Sequence, residues 1–109
     1  MNAEKTFSVL QDDAPDLCFS GVLLAELSNA PADFDMDRCT HEWLELSLYR
    51  TTGGKLVCSR ATCTMQPDPD RYEARICTDD AGVVAFFGYG KLSKELYDLA
   101  GIDADLRVD

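Results

Sequence analysis

Hydrophobic and polar residues alternate most regularly along residues 43–51, WLELSLYRT, and again along 55–65, KLVCSRATCTM. A period of two marks a strand with one buried face, and the β-branched and aromatic content of both runs suits paired strands. Gly53 and Gly54 stand between them. Two adjacent glycines accept positive φ at both central positions of a type I′ turn, so the sequence predicts a hairpin with a two-residue loop. That loop sets Thr52 opposite Lys55, then Arg50 with Val57, Leu48 with Ser59, Leu46 with Ala61 and Leu44 with Cys63. These pairs form the expected core face. The other face carries Trp43, Glu45, Ser47, Tyr49 and Thr51 opposite Thr64, Thr62, Arg60, Cys58 and Leu56, and is expected to lie in water.

Pro, Gly and Asp divide the rest of the chain. TFSVL, 6–10, reads as a short strand, and the turn-rich QDDAPD follows it. CFSGVLLAELS, 18–28, fits two periods: Phe19, Gly21, Leu23, Ala25 and Leu27 alternate, while VLLAEL is rich in helix formers. Strand is the preferred reading. NAPADFDMDRCTH, 29–41, reads as a long polar connection, and QPDPD, 66–70, as a turn. RYEARIC, 71–77, alternates again, with Tyr72, Ala74 and Ile76 on one side and Arg71, Glu73, Arg75 and Cys77 on the other.

The period changes at TDDAGVVAFFG, where Thr78 or Asp79 can cap a helix and Val83, Phe86 and Phe87 form an apolar stripe before Gly88. KLSKELYDLAG, 91–101, repeats the device with Leu92, Leu96, Leu99 and Ala100, and Gly101 ends it. IDADLRVD reads as an irregular tail. The expectation is one α+β domain over residues 1–109: an antiparallel meander of about four to five strands with two C-terminal helices packed on one face.

Composition changes this picture mainly through charge. Twenty Asp and Glu against ten Lys and Arg leave a formal charge of -10, which argues against direct binding of nucleic acid or anionic membrane and favours a basic protein partner. The acids cluster at Asp12, Asp13 and Asp16, at Asp33, Asp35 and Asp37, at Asp79 and Asp80, and at Asp103, Asp105 and Asp109. The start, MNAEKTFSVLQDDAPD, has no basic leader or long apolar run, and no window approaches the ~20 apolar residues of a membrane helix, so a cytoplasmic protein is expected. Five cysteines, an odd number, are expected as free thiols.

Candidate chemistry is sparse. TTGGKL lacks the spacing of a phosphate loop, and a strand follows where that loop needs a helix N-terminus. Cys58 and Cys63 lie an odd number of residues apart on a strand, so they point to opposite faces and cannot share an ion. Cys39 and His41 are two ligands without a second pair. His41 is the sole histidine, no nucleophile signature accompanies it, and Glu42, Glu45 and Glu73 fall on faces expected to be solvated. The expectation is a non-enzyme with no cofactor and no metal.

What remains is surface. Trp43, Tyr49, Arg60, Arg71 and Arg75 are residue types that dominate protein interfaces, and the expected register puts them on one sheet face. With Asp33, Asp35 and Asp37 they are the candidate protein-binding residues. LELSLYRTTGGKLVCSR and RYEARICTDDAGVVAFFGYGKLSKELYDLAGID, spanning roughly residues 44–103, resemble small uncharacterised proteins of bacterial mobile genetic elements such as plasmids, integrative elements and prophages. That resemblance implies a bacterial cytoplasm and an accessory role. The leading expectation is a non-enzymatic acidic protein-binding accessory factor, in one form an inhibitor or nucleic-acid mimic whose carboxylates stand where phosphates would lie on a basic host protein. The alternative is a homodimeric structural or regulatory module, self-associating through its aromatic sheet face or an open strand edge.

Overall fold

The computed structural model describes residues 4–29, 42–64 and 70–104. Five strands, β1 (Lys5–Val9), β2 (Leu17–Ser28), β3 (Glu42–Thr51), β4 (Leu56–Thr64) and β5 (Arg71–Cys77), pair in chain order as one antiparallel meander. Two helices follow, α1 (Asp80–Phe87) and α2 (Lys91–Ala100). Both pack on the same side of the sheet, α1 over β4 and β5 and α2 over β2 and β3. This is the expected α+β architecture.

Residues 17–28 are strand, and Gly21 shows why helix propensity loses there. A Cβ at Gly21 would overlap the Arg50 carbonyl oxygen and stand 2.8 Å from the Thr51 Cα, so β2 and β3 approach more closely than any other residue allows. A bulge between Leu23 and Ala25 then breaks the alternation. Leu23 pairs with Tyr49, whereas Ala25 and Leu27 pair with Leu48 and Leu46 under the helices. The five residues expected on one face are therefore divided between two.

The hairpin register differs from the expected one by a single residue. Within the loop only Gly54 has positive φ, at 89°, so the type I′ turn is not formed. The loop holds three residues instead: Gly54 N–H donates to Thr51 O at 2.9 Å, and Thr51 N–H donates to Lys55 O at 2.8 Å. This is a tight turn closed by a glycine bulge, further held by Lys55 N–H donating to Thr51 Oγ1 at 3.0 Å. Leu48 consequently faces Cys58, Leu46 faces Arg60 and Leu44 faces Thr62. Val57, Ser59, Ala61 and Cys63 move to the opposite face, beside Tyr49, Ser47, Glu45 and Trp43. Cys58 and Cys63 still point apart, as their odd spacing requires.

The helix-side core joins Ala25, Leu46, Leu48, Leu56, Cys58 and Cys77 to Val83, Val84, Phe87, Leu96 and Tyr97. Asp79 caps α1, its carboxylate accepting from Gly82 N–H at 2.9 Å. The expected apolar stripes hold in part: Val83, Phe87 and Leu96 are buried, and Phe86, Leu92 and Ala100 pack half-buried against the core. Val84 replaces Phe86 as a buried α1 residue, and on α2 Ser93, Leu96 and Tyr97 are buried while Leu99 is 62 % exposed. The polar atoms explain the shift: Ser93 Oγ donates to Phe87 O at 2.9 Å and Tyr97 Oη to Gly88 O at 2.6 Å. The two side chains of α2 thus satisfy carbonyls left open at the end of α1. The irregular segment after Gly101 is anchored, with Asp103 N–H donating to the Asp80 carboxylate at 3.0 Å.

The second sheet face is not the plain solvated surface expected. The sheet curls into a half-barrel, and at one corner Asp12 N–H donates to Tyr72 O at 2.9 Å while Tyr72 N–H donates to the Asp12 carboxylate at 3.0 Å. Val9, Val57, Ala61 and Cys63 are buried on this inner side although neither described helix covers it. Phe7, Phe19 and Tyr49 close it with ring centroids 4.8 to 5.6 Å apart.

Candidate binding surface

The single aromatic and arginine face expected from sequence does not exist, because the register shift divides its members. Trp43 and Tyr49 lie on the inner side, whereas Arg60, Arg71 and Arg75 lie on the helix side with Leu46, Thr62 and Cys58 as cross-strand neighbours. Tyr49 is committed to the ring cluster, and its hydroxyl is pushed up by burial, an effect that Ser47 opposes and Glu26 reinforces. Trp43 Nε1 donates to Glu45 Oε1 at 3.3 Å. Asp33, Asp35, Asp37, Cys39 and His41 lie outside the described residues.

Arg60 is spent on the fold. It meets Glu73, its direct partner on β5, with two bonds of 3.3 and 2.9 Å, donates to Phe86 O at 3.1 Å, and lies 4.7 Å over the Phe86 ring. A guanidinium at the carbonyl end of α1 complements the helix dipole while it ties helix to sheet. Arg75 lies on the same ring, 5.5 Å from its centroid, and among the described residues makes no hydrogen bond or ion pair. Phe86, expected in the core, is instead a half-buried platform for two guanidinium groups.

An open groove of about 410 Å³ runs beside this platform, lined by Gln11, Asp12, Asp13, Tyr72, Ala74 and Arg75 among others. It follows the outer edge of β5; the sequence offers an open strand edge without assigning it to a strand. The signal was available: β5 is the last strand of a meander, and a last strand has one unpaired side.

The buried thiols Cys58 and Cys63 are poor candidates for chemistry. Cys58 and Cys77 are buried with their sulfurs 3.8 Å apart, and burial, then the neighbouring Cys77, pushes the Cys58 thiol up. Burial raises Cys63 too, joined by the carboxylates of Glu45 and Asp70. Both effects suppress the thiolate, the reverse of what a reactive cysteine needs. No group of three or more His, Cys, Asp or Glu among the described residues is placed to hold a metal ion, and no described helix is long and apolar enough to cross a membrane. No protein-family model, curated protein or solved structure matches the chain.

Proposed function

We propose that the protein is a non-enzymatic, acidic protein-binding accessory factor that engages a basic protein through its carboxylates, as an inhibitor or nucleic-acid mimic would. The observation that carries this reading is the formal charge of -10 on 109 residues. The placement of the charges supports it. Glu4, Asp13, Asp16, Glu26, Glu45 and Asp98 stand exposed, and although Lys5, Arg50, Lys55, Arg75, Lys91 and Lys94 do too, twenty acids against ten bases leave the field presented to a partner negative. The resemblance over residues 44–103 suggests the setting, a bacterial cytoplasm and a mobile-element accessory role.

Long-range attraction of this kind speeds association and is screened by salt. Capture of basic proteins from bacterial lysate on the immobilised chain should fall by ~10-fold between low and high salt. Replacing Asp33, Asp35 and Asp37 by Asn, or Asp13 and Asp16 by Asn, should weaken it further. Asn at position 13 keeps the left-handed backbone there, φ 60°, so this change removes charge without strain. Capture that ignores salt, or that both variants retain in full, would refute the proposal.

A further inference from the structure

Two observations fix which backbone groups of β5 point outward. The hairpin bond between Thr51 and Lys55 sets the odd residues of β4 toward β3, so its even residues, Leu56, Cys58, Arg60 and Thr62, bond to Cys77, Arg75, Glu73 and Arg71. Tyr72 independently uses both its N–H and its C=O on Asp12, away from β4. By alternation Ala74 and Ile76 also present N–H and C=O to the outside, and among the described residues these groups have no partner. The Ile76 side chain is 54 % exposed on one side of this edge, and on the other the Arg75 guanidinium has no acceptor among the described residues.

We infer that the β5 edge takes an extended segment of a partner protein as a sixth strand, with an acidic residue opposite Arg75 between two apolar residues on the Ile76 side. Main-chain bonds to Ala74 and Ile76 supply attachment, and the alternating side chains supply selectivity. A second copy of this chain fits the edge poorly in the two registers that would use Ala74 and Ile76 together. Antiparallel self-pairing centred on Ala74 would join Tyr72 to Ile76 of the other copy, but Asp12 already holds the Tyr72 backbone. Pairing centred on Arg75 would set Arg75 against its own copy, a like-charge contact. The Asp12 turn thus limits the site to a short strand and guards against edge-to-edge association. This edge adjoins Asp13 of the acidic surface, but attachment through the Ala74 and Ile76 backbone does not depend on those carboxylates.

The test uses the isotopically labelled full chain and two peptides, TVEVT and TVKVT. TVEVT should move the amide resonances of Ala74 and Ile76 and slow their hydrogen exchange by ~10-fold at saturation, while TVKVT should bind at least ~3-fold more weakly. Arg75→Glu should reverse that order. Ile76→Pro removes only an outward N–H, as an edge strand tolerates, and should abolish binding with the melting temperature little changed. The inference is overturned if millimolar TVEVT leaves both amides unmoved, or if the two peptides bind equally well both to the parent chain and to the Arg75→Glu variant. It is equally overturned if the chain sediments as a dimer that Ile76→Pro dissociates, since the edge would then belong to a second copy.

Discussion

The two faces of the sheet bury apolar residues by different means. Under the helices, Leu46, Leu48 and Cys58 meet Val83, Phe87, Leu96 and Tyr97, so this side is filled by side chains brought from another layer. On the inner side Val9, Val57, Ala61 and Cys63 are buried within the curve of the sheet, where no described helix reaches. The helix side therefore depends on side-chain volume. The inner side depends on backbone shape, fixed by the close approach at Gly21, the bulge between Leu23 and Ala25, and the Asp12–Tyr72 lock.

That contrast is broken most directly by cavities. Leu48 and Leu96 have no exposed surface, so Leu48→Ala or Leu96→Ala should cost about 3 to 5 kcal/mol in denaturant unfolding. Phe19 is only half-buried, and Phe19→Ala should cost about 1 to 2 kcal/mol despite the larger volume removed. Equal losses at Leu48 and Phe19 would mean that the inner face is a packed core of the same kind.

The same division marks what was legible in the sequence. Strand and helix positions followed from periodicity because burial on one side imposes it. The register did not. Gly53 and Gly54 allow either a two-residue or a three-residue loop, and the choice is made by Thr51, whose hydroxyl accepts from Lys55 N–H, and by Thr52, whose N–H donates to Ser20 O at 2.8 Å on β2. A nonlocal contact of that kind leaves no mark in the hairpin's own pattern. The slip carried Tyr49 and Trp43 away from the three arginines, so the candidate surface assembled from sequence came apart with it. Polar residues misled on α2 as well, because Ser93 and Tyr97 are buried for bonds to α1 carbonyls that no hydrophobic count anticipates.

Burial, with help from Cys58 and Tyr89, pushes the Tyr97 hydroxyl up to about 12 from 10.0. A tyrosine in the unfolded chain releases its proton from about pH 10, whereas folded Tyr97 keeps it, so this group's contribution is intact below pH 10 and lost as pH climbs toward 12. The expected slope is roughly 1 kcal/mol per pH unit in that window. Tyr97→Phe should flatten it while costing about 1 kcal/mol at neutral pH for the missing bond to Gly88 O. Unchanged alkaline sensitivity in Tyr97→Phe would place its origin elsewhere, with Cys58, Cys63, Tyr49 and Tyr72, all raised in the same direction, as the remaining sources.

The smallest expected effect separates two arginines on one ring. Arg60 and Arg75 both stack on Phe86, yet Arg60 also holds Glu73 and the Phe86 carbonyl, while Arg75 holds neither. Arg60→Ala should cost about 1 kcal/mol, since it leaves a helix-end carbonyl and a carboxylate without their donor, and Arg60→Lys should recover only part because a single ammonium cannot reproduce the forked geometry. Arg75→Ala should stay within about 0.5 kcal/mol of the parent, as expected of a surface residue with one exposed contact. A larger loss at Arg75 than at Arg60 would tie Arg75 to the fold and remove the free guanidinium on which selectivity at the β5 edge depends.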